Sequence, residues 1–379
     1  MTHGLAVQPI PLVDLRALHA PIAADLQAAV DRVVGAGAFI LGEEVRAFEA
    51  AIAERHGAAG AVGVASGSDA LYLALVASGV GAGDEVITTA LSFFATAGAI
   101  ARVGARPVFV DIEEDGFNLD PERALLAIGP RTKAIIPVHL FGRCARIEPI
   151  VAAARARGIV VIEDAAQAID ARRGGRAAGS FGDLGCLSFH PSKNLGAWGD
   201  GGMVLCRDAA MAQRIERLRA HGADRGSYHE VGINSRLDAL QAAVLAAKLP
   251  ELERWTERRR DGAAHYRELL ADRADWLSVP EDDRHGREVN HCFTVRCRRR
   301  DELAAQLTAE GIGTAIYYPR PLHLEPCFAH LGHREGDFPR AEQACREVLS
   351  LPVHPALSPA DRERVARAID SFYRGRRVR

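Results

Sequence analysis

A lysine on a glycine-rich loop is the residue of this chain best suited to covalent chemistry. The segment CLSFHPSKNLGAWGDGG (186–202) delivers Ser188 at the end of an apolar run. It then sets Lys193 among Gly196, Gly199, Gly201 and Gly202. Reactive groups gather on loops held by a rigid scaffold. A lysine that can be stripped of water is the residue type that forms a Schiff base. Of the 47 Lys and Arg residues only Lys133, Lys193 and Lys248 are lysines, so each can be weighed alone. Lys133 follows Arg131 in a polar turn and Lys248 stands late in an amphipathic stretch. Both are expected at the surface.

Three more segments carry chemistry. In IVVIEDAAQA (159–168) an apolar run ends in Glu163-Asp164. Ligands of open α/β sheets bind at the carboxyl ends of strands, so Asp164 can hold a cationic ring nitrogen there, with Gln167 nearby. A helix-capping aspartate fits that segment equally well. In VASGSDALYLAL (64–75), Gly67, Ser68 and Asp69 open a helix whose free N–H groups suit a phosphate. An ordinary cap by Ser66 or Ser68 accounts for the same residues. In LSFFATAGA (91–99), Phe93 could stack on a flat ring or lie in the core, and Phe94 is expected in the core. A phosphate cradle, a carboxylate, a stacking ring and a lysine, in that order, form the set that pyridoxal phosphate requires. The lysine binds its aldehyde. The carboxylate keeps its ring nitrogen protonated, so that the ring accepts electrons. Ser188 and the helix start hold its phosphate.

These residues need strands to aim them. Apolar runs at 61–65, 84–89, 106–111, 133–138, 159–164, 184–189 and 201–206 alternate, up to the fifth, with helical patterns at 68–79, 95–104, 121–129 and 147–158. Fully apolar strands between helices predict an α/β fold with a mainly parallel sheet covered on both faces. Two helices precede it, at 20–34 and 43–57, closed by glycines. From about residue 208 long helical patterns take over, and Pro250 should break the longest. A smaller α+β pattern follows: HCFTVRC as strand, RDELAAQLTAEG as helix, TAIYY as strand and a helix near 340–349. The predicted division is 1–250, a large domain, and 251–379, a small one. At 379 residues, 48% hydrophobic and 25% charged, the chain has the makeup of a globular enzyme. A net charge of −2 gives no basic face for nucleic acid, and no apolar run is long enough for a membrane span. The N-terminus lacks a basic segment followed by an apolar one, and seven scattered cysteines form no C-x-x-C pair. A cytoplasmic protein without a metal site is expected.

The same segments carry a family resemblance. PLVDL (11–15), FILGEEVRAFE (39–49), SGSDAL, GDEVITT, SFFATAGAI, RTKAIIPVHLFG, VIEDAAQA, LSFHPSKNLGAWGDGG, GINSRLDALQAAVLAAKL, YYPRPLHLEP (317–326) and LSLPVHP occur in order over nearly the whole chain. It resembles the DegT/StrS-type sugar-nucleotide aminotransferases, of the aspartate-aminotransferase fold (fold type I). That resemblance implies a three-layer sandwich and pyridoxal 5′-phosphate as cofactor. It implies Lys193 as the Schiff-base lysine, Asp164 at the ring nitrogen and Gln167 at the phenolic oxygen. Phe93 would lie on the ring. Gly67, Ser68, Asp69 and Ser188 would hold the phosphate. Asn234, in GINSR, would reach a partner's cofactor phosphate across a homodimer. Ser68 and Ser192 stand where threonine is common, and His190 where Tyr, Phe or His is usual.

The implied reaction moves an amino group from L-glutamate to a nucleotide-linked ketosugar. PLHLEP resembles the branch that aminates carbon 3 of dTDP or UDP sugars. Amination at carbon 4 is the alternative. Relatives with histidine for the lysine are dehydratases, a reading that Lys193 disfavours. His323 is a candidate for the sugar or diphosphate, or a loop histidine. Arg236 could take a diphosphate, a glutamate carboxylate or an interface salt bridge. His190 completes the substrate candidates. His139 and His221 are expected to be structural.

Overall fold

The computed structural model describes residues 8–374. The first seven residues, where the N-terminal stretch read for a leader begins, lie outside that range. The main sheet has seven strands: β1 (Gly60–Val64), β2 (Glu85–Thr89), β3 (Arg106–Val110), β4 (Thr132–Ile136), β5 (Val160–Asp164), β6 (Leu184–Ser188) and β7 (Gly202–Cys206). Their order is β1-β7-β6-β5-β4-β2-β3. Strand β7 pairs antiparallel with β1 and β6, and every other pairing is parallel.

Alternate residues along a strand face opposite ways, and here both faces are covered. Val62, Val64, Ile136, Ile162, Cys186 and Val204 pack on one side, under α3 (Gly67–Ala77) and α4 (Ala95–Arg102). On the other side Ile87, Ile135 and Val161 meet Ile150 and Ala154, while Leu187, Met203 and Leu205 meet Val45, Phe48 and Ile52. The expected α/β three-layer sandwich is therefore the fold. Of the helices before the sheet, α1 (Ala23–Ala36) and α2 (Glu43–His56) end at Gly37 and Gly57, each at φ 65°. That left-handed conformation is cheap only for glycine.

The remaining helices of the sandwich are α5 (Pro121–Leu126), α6 (Glu148–Arg155) and α7 (Ala209–Leu218). The long helical pattern then splits into α8 (Ala239–Lys248) and α9 (Leu252–Leu270), with a 3₁₀ turn at Leu249–Glu251 around Pro250. Along α9, Leu252 and Trp255 pack toward the sheet's helices, whereas Ala263, Tyr266 and Leu270 enter a second core. That core joins a small antiparallel sheet, β8 (Leu277–Ser278), β9 (Phe293–Cys297) and β10 (Val348–Leu351). Against it pack α10 (Arg300–Ala309) and α12 (Pro359–Arg374), and the unit also carries α11 (Pro339–Glu347). Among the described residues no helix is long and apolar enough to cross a membrane.

Two expectations fail. TAIYY is not a strand: only Ala315 pairs, exchanging bonds of 2.8 and 3.3 Å with Ser350. Pro319 and Pro321 follow and have no N–H to continue a ladder. Lys248 is not a surface charge, being 1% exposed, with Nζ donating to the Gly196 carbonyl at 2.7 Å. Lys133 is exposed, as expected.

Candidate active site

The carboxyl ends of β1 and β6 meet at the start of β7, where Val64 and Ser188 are both register partners of Gly202. Helix α3 springs from that point. Ser66 is its N-cap and accepts the Asp69 N–H at 3.1 Å, so the capping alternative holds for Ser66 and not Ser68. The Asp69 N–H is thereby engaged, and an anion must look to the N–H groups of Gly67 and Ser68. A Cβ on Gly67 would stand 2.7 Å from Ser188 Cβ, and one on Gly202 2.3 Å from the Ser66 carbonyl carbon. The glycines let the helix start close on Ser188. Asp69 would oppose a phosphate, but its carboxylate is paired with Arg102 at 2.9 Å.

Asp164 ends β5 and is buried. Its Oδ2 accepts from Thr96 Oγ1 at 2.7 Å and its Oδ1 from the Ala166 N–H at 3.2 Å. Because Thr96 donates there, the 2.8 Å contact between the hydroxyls of Ser92 and Thr96 has Ser92 as donor. Burial raises the Asp164 pKa, against the two hydrogen bonds and the nearby Lys193 and His139. A carboxylate desolvated to this degree lacks a full counter-charge.

Lys193 lies on the loop between β6 and β7, its N–H donating to the His190 carbonyl at 2.8 Å. Asn194 next to it is tied down by the Val289 carbonyl at 3.0 Å and His291 Nδ1 at 3.2 Å. Desolvation lowers the Lys193 pKa, with Cys292 and Asp164 acting the other way. His291 is held well below its ordinary pKa by burial and then by Lys193. Lys193 and Asp164 are close enough to act on each other electrostatically, and burial lowers the pKa of the amine while it raises that of the carboxylate.

Phe93 sits in the loop before α4, 55% exposed, with its ring centroid 6.0 Å from that of Tyr318. Phe94, expected in the core, is 48% exposed; stacking on Phe328 at 5.9 Å covers one face only. Gln167 accepts the Phe141 N–H at 2.7 Å and donates Nε2 to the Tyr318 hydroxyl at 3.0 Å. Its second N–H remains for a ring oxygen. Thr96, Cys292, His291 and Tyr318 were not predicted. Thr96 lies one helical turn past Phe93, a spacing that marks it in hindsight.

The substrate candidates divide. Residues 233–237 run extended, pinned by Ile233, Ser235 and Leu237 N–H bonds to Leu218, Arg219 and Gly63 carbonyls. Ser235 points inward, its hydroxyl accepting from the Ala65 N–H at 3.1 Å. Asn234 is exposed and Arg236 half-buried, and among the described residues neither side chain has a partner. His190 is exposed, with Nδ1 3.0 Å from Ser192 Oγ. His323 is 1% exposed; its Nε2 meets Glu342 at 3.1 Å and its ring meets Phe338 at 4.7 Å. Glu342 also accepts the Gly336 and Phe338 N–H groups. Glu342 and Phe338 hold the His323 ring, and its Nδ1 has no partner among the described residues.

These residues fit pyridoxal 5′-phosphate. The free N–H groups of Gly67 and Ser68, with Ser188, would meet its phosphate, Asp164 its ring nitrogen and Lys193 its aldehyde. Phe93 is open on the side where a ring could lie.

The comparisons agree. The chain is 48% identical to a pleiotropic regulatory protein of Geobacillus stearothermophilus, over 96% of this chain and 99% of that protein. It is 46% identical to a UDP-N-acetyl-3-dehydro-α-D-glucosamine 3-aminotransferase of Acidithiobacillus ferrooxidans, over 95% and 97%. The crystal structure of Streptomyces venezuelae DesV in complex with a ketimine intermediate superposes with a TM-score of 0.93 at 42% identity, covering 96% and 98%. Residues 21–370 match the profile of one family. The chain belongs to the DegT/DnrJ/EryC1/StrS aminotransferase family.

Proposed function

We propose that this enzyme is a transaminase that moves the amino group of L-glutamate to carbon 3 of a UDP- or dTDP-linked 3-keto sugar. The observation that carries the amino transfer is Lys193 on the loop after β6, desolvated and within electrostatic reach of Asp164 at the end of β5. The 3-keto assignment is supported by the relative named for amination of a 3-dehydro sugar.

When bound, pyridoxal phosphate would supply an aldehyde to carry the amino group and an electron-accepting ring. The chain's residues do the rest. Lys193 Nζ takes the proton from the α-carbon of glutamate and, in the second half-reaction, returns one to carbon 3 of the sugar. Asp164, steadied by Thr96, would keep the ring nitrogen protonated. The Gly67 and Ser68 N–H groups, with the dipole of α3 behind them, hold the phosphate.

Asn234 and Arg236 complete this reading. Neither side chain has a partner among the described residues, which supports a homodimer in which each chain serves its neighbour's site. The test is a mixed dimer. Neither Lys193→Ala nor Asn234→Ala/Arg236→Ala alone turns over at a useful rate. Unfolded together and refolded, they form hybrids with one intact site and recover up to about a quarter of wild-type activity. No recovery sinks the shared site. Incubation with glutamate and candidate 3-keto and 4-keto sugar nucleotides, followed by mass and NMR identification of the product, decides the carbon. Loss of water without gain of nitrogen would mean dehydration instead.

A further inference from the structure

Two of the three lysines meet at one loop: Lys193 lies on it and Lys248 is buried against it, and only the first is accounted for. Lys248, in the last turn of α8, has its ammonium 2.7 Å from the Gly196 carbonyl and 5.7 Å from the centre of the Trp198 ring. It pairs with no carboxylate among the described residues. A buried charge is costly, and an apolar side chain of the same length would fill the space. The ammonium therefore has something to hold.

What it holds is the loop of Lys193. That loop closes on itself: Ala197 N–H donates to the Phe189 carbonyl at 2.7 Å, and Lys193 N–H to that of His190 at 2.8 Å. Gly196 passes so close that a Cβ there would stand 2.3 Å from the Pro191 carbonyl oxygen. The same helix grips the loop again through Gln241, whose Oε1 accepts the Trp198 N–H at 2.8 Å. Residues 241 and 248 are two turns apart on one face of α8. The negative end of the α8 dipole favours a cation at this spot.

We infer that Lys248 is a positioning residue for Lys193: its ammonium clamps the Gly196 carbonyl and so sets where Lys193 enters the site. The inference rests on Lys193 being the cofactor-binding lysine. The clamp itself exists without cofactor, so the two can fail separately.

The test uses full-length Lys248→Met, which keeps the length and loses the charge, beside Lys248→Arg, which keeps the charge and a donor. In the cofactor-free Met variant, amide hydrogen exchange over 190–199 should rise about tenfold while 60–89 stays unchanged. With cofactor, kcat of the glutamate half-reaction should fall about tenfold with KM within twofold. The melting temperature should be unchanged or higher, since a desolvated charge is gone. The Arg variant should lie nearer wild type in both exchange and kcat. Equal losses in both variants, or Met exchange and kcat equal to wild type, overturn the clamp. If Lys248→Met does not fold, Lys248→Gln against Lys248→Arg gives the same contrast. A wild-type protein without a visible absorption band after incubation with pyridoxal phosphate would overturn the cofactor reading instead. The exchange result would still judge the clamp.

Discussion

Glu163 and Asp164 are consecutive carboxylates on β5, both buried, and they face opposite sides of the sheet. Glu163 is saturated. Its oxygens accept from Gly179 N–H at 2.8 Å, Gly182 N–H at 2.6 Å and His139 Nε2 at 2.8 Å. His139 Nδ1 accepts the Ala145 N–H at 3.0 Å, so the imidazole proton lies on Nε2, toward Glu163. Asp164 has one hydroxyl, one weak amide bond and a pKa raised by burial. A carboxylate serving the fold has its oxygens filled by the chain. One left with two donors has capacity for a ligand, and the fold bears that cost.

Substitutions can break this contrast. The largest effect belongs to Lys193, whose charge acts on Asp164. Lys193→Ala should lower turnover on the order of 10⁴-fold, about 5 kcal/mol, with the melting temperature intact. Repeated turnover by that variant would remove the lysine from the mechanism. Next comes Glu163→Ala, which should cost about 3–5 kcal/mol of stability by stranding His139 and two amides. Chemical denaturation measures it, and turnover well below the melting point should stay within a few-fold of wild type. Asp164→Asn should do the reverse. Turnover should drop about 10²–10³-fold. Stability of the cofactor-free protein at neutral pH should hold or rise. The sign follows from the raised pKa: the buried carboxylate costs stability once pH passes its ordinary value, and the amide does not. Were Asp164→Asn to unfold the protein and Glu163→Ala to abolish turnover, the two roles would be exchanged.

The smallest effect is at Thr96. Its hydroxyl favours the charged form of Asp164. Thr96→Val should therefore raise the Asp164 pKa further, shift the acid limb of the kcat/KM profile to higher pH, and cost about 1 kcal/mol at neutral pH. An unmoved acid limb would separate Thr96 from the function of Asp164.

The sequence made the sheet and the charged centre legible because both are written locally. Apolar runs end in marked residues, and Lys193 is flanked by glycine and proline. What escaped is non-local. Thr96 meets Asp164 across 68 positions, and Gln167 meets Tyr318 across 151. Lys248 looked like a solvated charge because its partner is a carbonyl on a loop 52 residues away. A main-chain carbonyl leaves no mark in a sequence. Phe94 was expected in a core whose covering ring, Phe328, comes from the far part of the chain.

The tethers on Asn194 have a consequence for synthesis. A growing chain emerges from its N-terminus, and Lys193 appears with β5, β6 and α3 already made. The residues that fix its neighbour, Val289 and His291, follow 95 and 97 positions after Asn194. A nascent chain thus holds the carboxylate, the anion cradle and the amine before it can align them. A fragment ending before residue 289 would carry Asp164, the start of α3 and Lys193 without the tethers that fix Asn194.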